Sequence, residues 1–114
     1  MTEVSPVTVS ELAAVQGFEA VTLPDGERKI NGVYIGDLLS WVMGRAKADD
    51  AWITIMSNIN IAAVAALADV ACVILAEGVE LDGAVKETAN AKGINILTAH
   101  MPAYETAMAL ASRL

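Results

Sequence analysis

Basic residues are scarce in this sequence: seven Lys and Arg stand against fourteen Asp and Glu, a formal charge of -7. No basic patch, and no basic run interleaved with aromatics, is available to meet a phosphate backbone, so direct nucleic-acid binding is not expected. Cysteine is nearly absent. The lone Cys72 excludes an intrachain disulfide, and its setting in DVACVIL predicts a buried, chemically quiet thiol. With His100 as the sole imidazole, no metal centre is expected, and an iron-sulfur cluster lacks its four thiolates. No resident cofactor is expected either.

Long apolar runs are missing too. Hydrophobic residues make up 55% of the chain, yet Asp, Glu, Asn or Gly breaks every stretch well before the roughly 18 to 20 residues a membrane span needs. A soluble protein with no membrane partner is expected. The start, MTEVSPVTVSEL, carries acids and no basic segment ahead of an apolar run, so no secretory or mitochondrial leader is suggested and the cytoplasm is the default. A length of 114 residues predicts a single domain over residues 1–114.

What the chain does have is a repeated strand-then-helix pattern. In VTVSELAAVQG, Thr8 and Glu11 have capping-box spacing, Val7 and Leu12 have staple spacing, and Gly17 is a stop. A strand over 20–23, a PDGE turn over 24–27 and an extended segment over 30–35 follow. Asp37 is then a good N-cap for LLSWVMGRAKA, whose Leu38, Trp41, Val42 and Arg45 follow helical spacing. Asp49 and Asp50 read as a solvated turn before a strand over 52–56.

Asn58 or Asn60 begins the next helix, with Ile61, Val64, Ala65, Leu67 and Ala68 turned inward. The strand ACVIL, a helix stopped at Gly93, the strand INIL and a helix with Pro102 near its first turn complete the chain. Tyr104, Ala107, Met108 and Ala111 form a stripe on that last helix, read as core packing. Three short apolar strands alternating with helices predict a layered α/β/α domain around a mostly parallel sheet with right-handed crossovers. The segments flanking PDGE are expected to extend the sheet.

In such a sheet, ligands sit beyond the carboxyl ends of the strands, where helix N-termini converge. The residues there are Gly36 and Asp37, then Ser57, Asn58 and Asn60, then Glu77 and Gly78, then Thr98 and His100. Each has a plainer role beside the ligand-binding one. Capping accounts for Asp37, and capping or turn formation for Ser57, Asn58 and Asn60, although a helix N-terminus can also hold an anion. Glu77 would repel a phosphate rather than cradle it. Neither a Walker-type loop nor a dinucleotide fingerprint is present, so kinase and ATPase chemistry lacks its usual parts. His100 is the sharpest acid–base candidate, but a general base needs an orienting partner, for which Tyr104 and Glu105 are the nearby groups.

The stretch GVYIGDLLSWVMGRAKADDAWITI, continued by NIAAVAAL, by a strand ending at Glu77-Gly78 and by KGINIL, resembles a small stand-alone DRTGG-domain protein over nearly the whole chain. That resemblance implies a fold similar to the N-terminal domain of HPr kinase/phosphorylase, and a module of the kind found beside CBS domains in regulated pyrophosphatases and in some phosphate acetyltransferases. It implies regulation or dimerisation, at times near an adenine-nucleotide site, and stand-alone relatives accompany iron-sulfur hydrogenase genes. The naming motif itself is altered. Ser57-Asn58 stands where Asp-Arg would, and Ala76-Glu77-Gly78 where Thr-Gly-Gly would.

Three functions are therefore expected in order. The first is a non-catalytic regulatory or scaffold homodimer, associated with a metabolic or redox enzyme system such as a hydrogenase-related complex. The second is a small-ligand sensor, for an adenine nucleotide, with a pocket built by the loops at Gly36, Ser57 to Asn60, Glu77 to Gly78 and His100. The third is a small enzyme using His100.

Overall fold

The computed structural model describes residues 7–114, so the acidic start over residues 1–6 lies outside the described part. Helix α1 (Val9–Ala13) carries the capping box that its sequence predicts: the Glu11 amide donates to the Thr8 hydroxyl at 3.1 Å, and the Thr8 amide donates back to Glu11 at 2.9 Å. Val7 and Leu12 enter one apolar cluster, as the staple requires. Gly17, at φ +96°, sits in the turn that leads into β1 (Phe18–Thr22), where an added Cβ would meet the Met101 methyl at 3.1 Å. Only glycine suits that place.

Strands β2 (Gly32–Ile35), β3 (Asp50–Thr54), β4 (Cys72–Leu75) and β5 (Ile96–Ala99) are parallel, and β1 adds antiparallel to β5, in the order β1-β5-β4-β3-β2. The segments flanking PDGE do extend the sheet, at its two opposite edges. Helices α2 (Leu39–Arg45), α3 (Asn60–Ala68) and α4 (Gly83–Ala91) pack on one face around Trp52, Val73 and Leu75. Helices α1 and α5 (Ala103–Ala111) cover the other, around Ile53, Ile74 and Leu97. The expected layered, mostly parallel α/β/α architecture is present.

Several local expectations are overturned. Asp37 does not cap α2; its carboxylate accepts from the Thr54 hydroxyl at 2.8 Å and the Ile55 amide at 3.0 Å, which leaves Leu38 as an N-cap without a side-chain bond. The helix consequently buries Val42, while Leu38 and Trp41 remain 57% and 52% exposed and Arg45 stacks on Trp41 at 3.7 Å from the ring centroid. In α3, Leu67 is 75% exposed, because the 100° advance per residue puts it outside the arc of Ile61, Ala62, Val64 and Ala65.

Of the α5 stripe, Ala107 packs against the core and the other three do not. Thr106 and Leu110 are enclosed, and Tyr104, Met108 and Ala111 face out, since Ala103, Ala107 and Ala109 let the helix backbone lie close to the sheet. Of Asp49 and Asp50, only Asp49 lies in the expected turn, and it is partly exposed. Asp50 opens β3 and accepts from the Lys47 amide at 2.8 Å, while Asp49, at φ 68°, is held by Arg28 Nε at 2.9 Å. The same guanidinium reaches Asp69 at 2.8 Å, tying together the starts of β3 and β4.

Cys72 is buried as expected, and burial pushes its thiol up to about 12, against a smaller opposing pull from Arg28. The folded protein is therefore expected to give no reaction with Ellman's reagent at pH 8 over minutes, and one thiol per chain once denatured. Rapid labelling in native buffer would contradict this packing.

Candidate functional site

The order β5-β4-β3-β2 places the parallel strands in chain sequence, so right-handed crossovers carry α2, α3 and α4 to the same face. Their loops all turn the same way, so the strand order makes no switch point among them. After β5 the chain crosses instead to α5 on the opposite face. The carboxyl ends of β4 and β5 are therefore where successive loops part, the position at which open parallel sheets form a ligand crevice.

The loop leaving β4 is a tight reversal. Glu77 and Gly78 lie at φ 63° and 69°, and the Val79 amide donates to Ala76 O at 3.3 Å, the pattern of a type I′ turn. Glycine adopts this backbone freely, while a glutamate there costs about 1 kcal/mol. Glu77 thus occupies a backbone conformation suited to glycine. The turn is anchored by the Glu77 amide donating to Met101 O at 2.8 Å and the Gly78 amide donating to Ala99 O at 3.1 Å. On the other side, the His100 amide donates to Gly17 O at 3.0 Å.

These segments line two adjoining hollows. One, of about 280 Å³, lies among Glu77, Gly78, His100, Met101 and Pro102. The other, of about 330 Å³, has Val21, Val79 and Leu81 as apolar lining and Glu19, Glu80, Lys86, Thr98 and His100 as polar groups. Both share Gly78 and His100. Of the residues singled out in the sequence, Glu77, Gly78, Thr98 and His100 meet here.

Gly36, Asp37, Ser57, Asn58 and Asn60 line neither hollow. Gly36 accepts the Trp52 indole N–H at 2.8 Å through its carbonyl, and its own amide donates to Ile53 O at 3.1 Å. Asn58 accepts from the Asn60 amide at 2.9 Å. The carboxylate beside His100 is Glu19 rather than Glu105, and at 3.7 Å between two exposed side chains it is too far for a hydrogen bond. Among the described residues no group of three or more His, Cys, Asp and Glu is placed to hold a metal ion. No helix there is long and apolar enough to cross a membrane.

Glu19, Glu80 and Lys86 were not singled out in the sequence. Glu19 reaches this edge only because β1 runs antiparallel to β5, with Glu19 opposite Thr98. Nothing local in FEAVT announces that partner.

Among curated proteins, no match to this sequence is found. The fold is similar to a solved structure of the CBS and DRTGG domains of the regulatory region of Clostridium perfringens pyrophosphatase, complexed with the activator diadenosine tetraphosphate. The TM-score is 0.74 at 16% identity, over 94% of this chain and 46% of that one. This chain thus spans about half the length of that regulatory region. The DRTGG domain matches residues 15–112, from just after α1 to the end of α5, and the chain belongs to the DRTGG domain family.

Proposed function

We propose that this protein is a regulatory or accessory domain without catalytic chemistry of its own, acting as a homodimer beside a metabolic or redox enzyme system. One observation carries the dimer. Ile35, Leu38, Trp41, Ile55 and Ile59 are each about half exposed, and all belong to the carboxyl end of β2 and β3 or to the starts of α2 and α3. An apolar surface gathered on one end of two adjacent strands and two packed helices marks an interaction site. A second copy is the occupant we assign, because a symmetric contact would cover the same patch on both chains at once.

Family membership and the similarity to a pyrophosphatase regulatory region support the regulatory part of the reading. The resemblance to the N-terminal domain of HPr kinase/phosphorylase is consistent with it, and hydrogenase-related enzymes are the kind of redox partner that resemblance suggests. A cytoplasmic location fits such partners.

Sedimentation equilibrium tests the dimer directly. The wild type is expected at twice 11.9 kDa, and Trp41→Glu at the monomer mass with an unchanged far-ultraviolet circular dichroism spectrum. A monomeric wild type at tens of micromolar would remove the proposal.

A second reading, ligand sensing, is favoured by the hollow where β4 and β5 part, since polar groups converge there over an apolar lining. An adenine nucleotide is one ligand class to test, because the similar regulatory region was solved with diadenosine tetraphosphate, although Glu19 and Glu80 in this hollow oppose its phosphates.

A further inference from the structure

Among the described residues, six polar or charged side chains are buried: Thr22, Asp50, Thr54, Asn95, Thr98 and Thr106. Five have intramolecular partners, at 2.8 Å for Thr22 to Ile94 O, Thr54 to Asp37, the Lys47 amide to Asp50 and Asn95 to Asp25 O, and at 2.9 Å for Thr106 to Pro102 O. Thr98 has none there. It is 9% exposed, and every described side-chain N or O fully shut away from solvent does have a partner. The Thr98 hydroxyl must therefore reach the larger hollow, which its residue lines. With no partner from the chain itself, this hydroxyl is free to exchange a hydrogen bond to water for one to a ligand.

What surrounds it selects the partner's charge. Glu19 stands directly across from Thr98 in the β1–β5 register, so the two side chains leave the sheet on the same face, about 5 Å apart at Cβ. Glu80 lines the same hollow and Glu77 the adjoining one, against the Lys86 ammonium and the His100 imidazole, whose Nε2 lies 3.7 Å from Glu19. The chain as a whole carries -7. A phosphate would meet mostly carboxylates here, and a cation would meet two acceptor types already in place.

We infer that this cleft binds a small organic cation, a primary ammonium on a short aliphatic stem, and this rests on the ligand-sensing reading above. The ammonium donates to the Thr98 hydroxyl and to the carboxylates of Glu19 and Glu80, and the stem lies over Val21, Val79 and Leu81. Lys86 limits affinity by like-charge repulsion.

The test is an amide NMR titration of the full chain with 1,4-diaminobutane, and separately with 1,4-butanediol, AMP and diadenosine tetraphosphate. The diamine is expected to shift Gly78, Val79, Thr98 and His100 saturably and more weakly in high salt, while the diol does not. Thr98→Val is expected to weaken binding about tenfold, as loss of a hydrogen bond to a charged group does, at an unchanged melting temperature. Lys86→Gln is expected to tighten it about twofold. Equal response to diol and diamine overturns the inference. Saturable shifts at these amides from a nucleotide alone overturn it too but keep the ligand-sensing reading, and no response to any of the four overturns both.

Discussion

Trp52→Ala is expected to destabilise the folded chain by about 4 kcal/mol, the range for removing a buried indole. Trp52 is 0% exposed at the centre of the sheet face that α2, α3 and α4 cover, beside Val73 of β4 and Tyr34 of β2. Its indole N–H also donates to Gly36 O at 2.8 Å, across to the turn between β2 and α2. Deleting the ring opens a cavity and leaves that carbonyl without its partner. Against a typical total of about 5 to 15 kcal/mol for a domain, the loss is a large share. Trp52→Phe keeps most of the packing and loses the bond, so it is expected to cost about 1 to 2 kcal/mol. Trp41→Ala removes a half-exposed ring and is expected to change the stability of the isolated chain by less than about 0.5 kcal/mol. Urea unfolding of the three variants, compared at a concentration that holds the chain monomeric, checks the ranking. A Trp41 effect as large as that of Trp52 would refute this account of the core.

The two tryptophans also show where the sequence was legible. Trp52 lies in an uninterrupted apolar strand, and AWITI, ACVIL and INIL announce buried parallel strands by composition alone. Trp41 lies in a helix whose apolar residues are too many for one face. Periodicity alone did not tell which stripe of Leu38, Leu39, Trp41 and Val42 meets the sheet, because the choice depends on where the helix starts. That start was displaced by Asp37 bonding to β3, a contact across 17 positions that a capping rule does not see. The site shows the same division. Glu77, Gly78 and His100 follow strands and are legible from that alone; Glu19, Glu80 and Lys86 needed the antiparallel β1 and the crossing of α5 to the opposite face. Strand order, which decides where loops part, has no local expression in the chain.

Asn95→Ala is expected to cost about 2 to 3 kcal/mol, lowering the melting temperature by about 10 °C. Asn95 is 1% exposed and its carboxamide joins three places: it accepts from the Asp25 amide at 2.9 Å, and donates to Asp25 O at 2.8 Å and to Ala71 O at 3.0 Å. The PDGE turn and the approach to β4 are thereby fixed to the start of β5. Alanine leaves the Ala71 carbonyl unpaired, while water can reach the turn. Asn95→Asp separates this network from simple packing. The ionised carboxylate that this substitution introduces would still accept from the Asp25 amide, but would face two carbonyl oxygens it cannot bond, with little solvent to relieve it. The new carboxyl is therefore raised in the folded state above its unfolded value, and the protonated form, able to donate, is the one that fits. Stability of this variant is then greatest below the ordinary carboxylate range and falls as pH rises from the unfolded towards the folded value. At pH 7 Asn95→Asp is expected to melt below Asn95→Ala, and the difference is expected to narrow or reverse as the pH is lowered towards 4, read by circular dichroism melts of both variants. Parallel pH profiles for the two would mean that Asn95 fills space and that the three hydrogen bonds do not hold the turn.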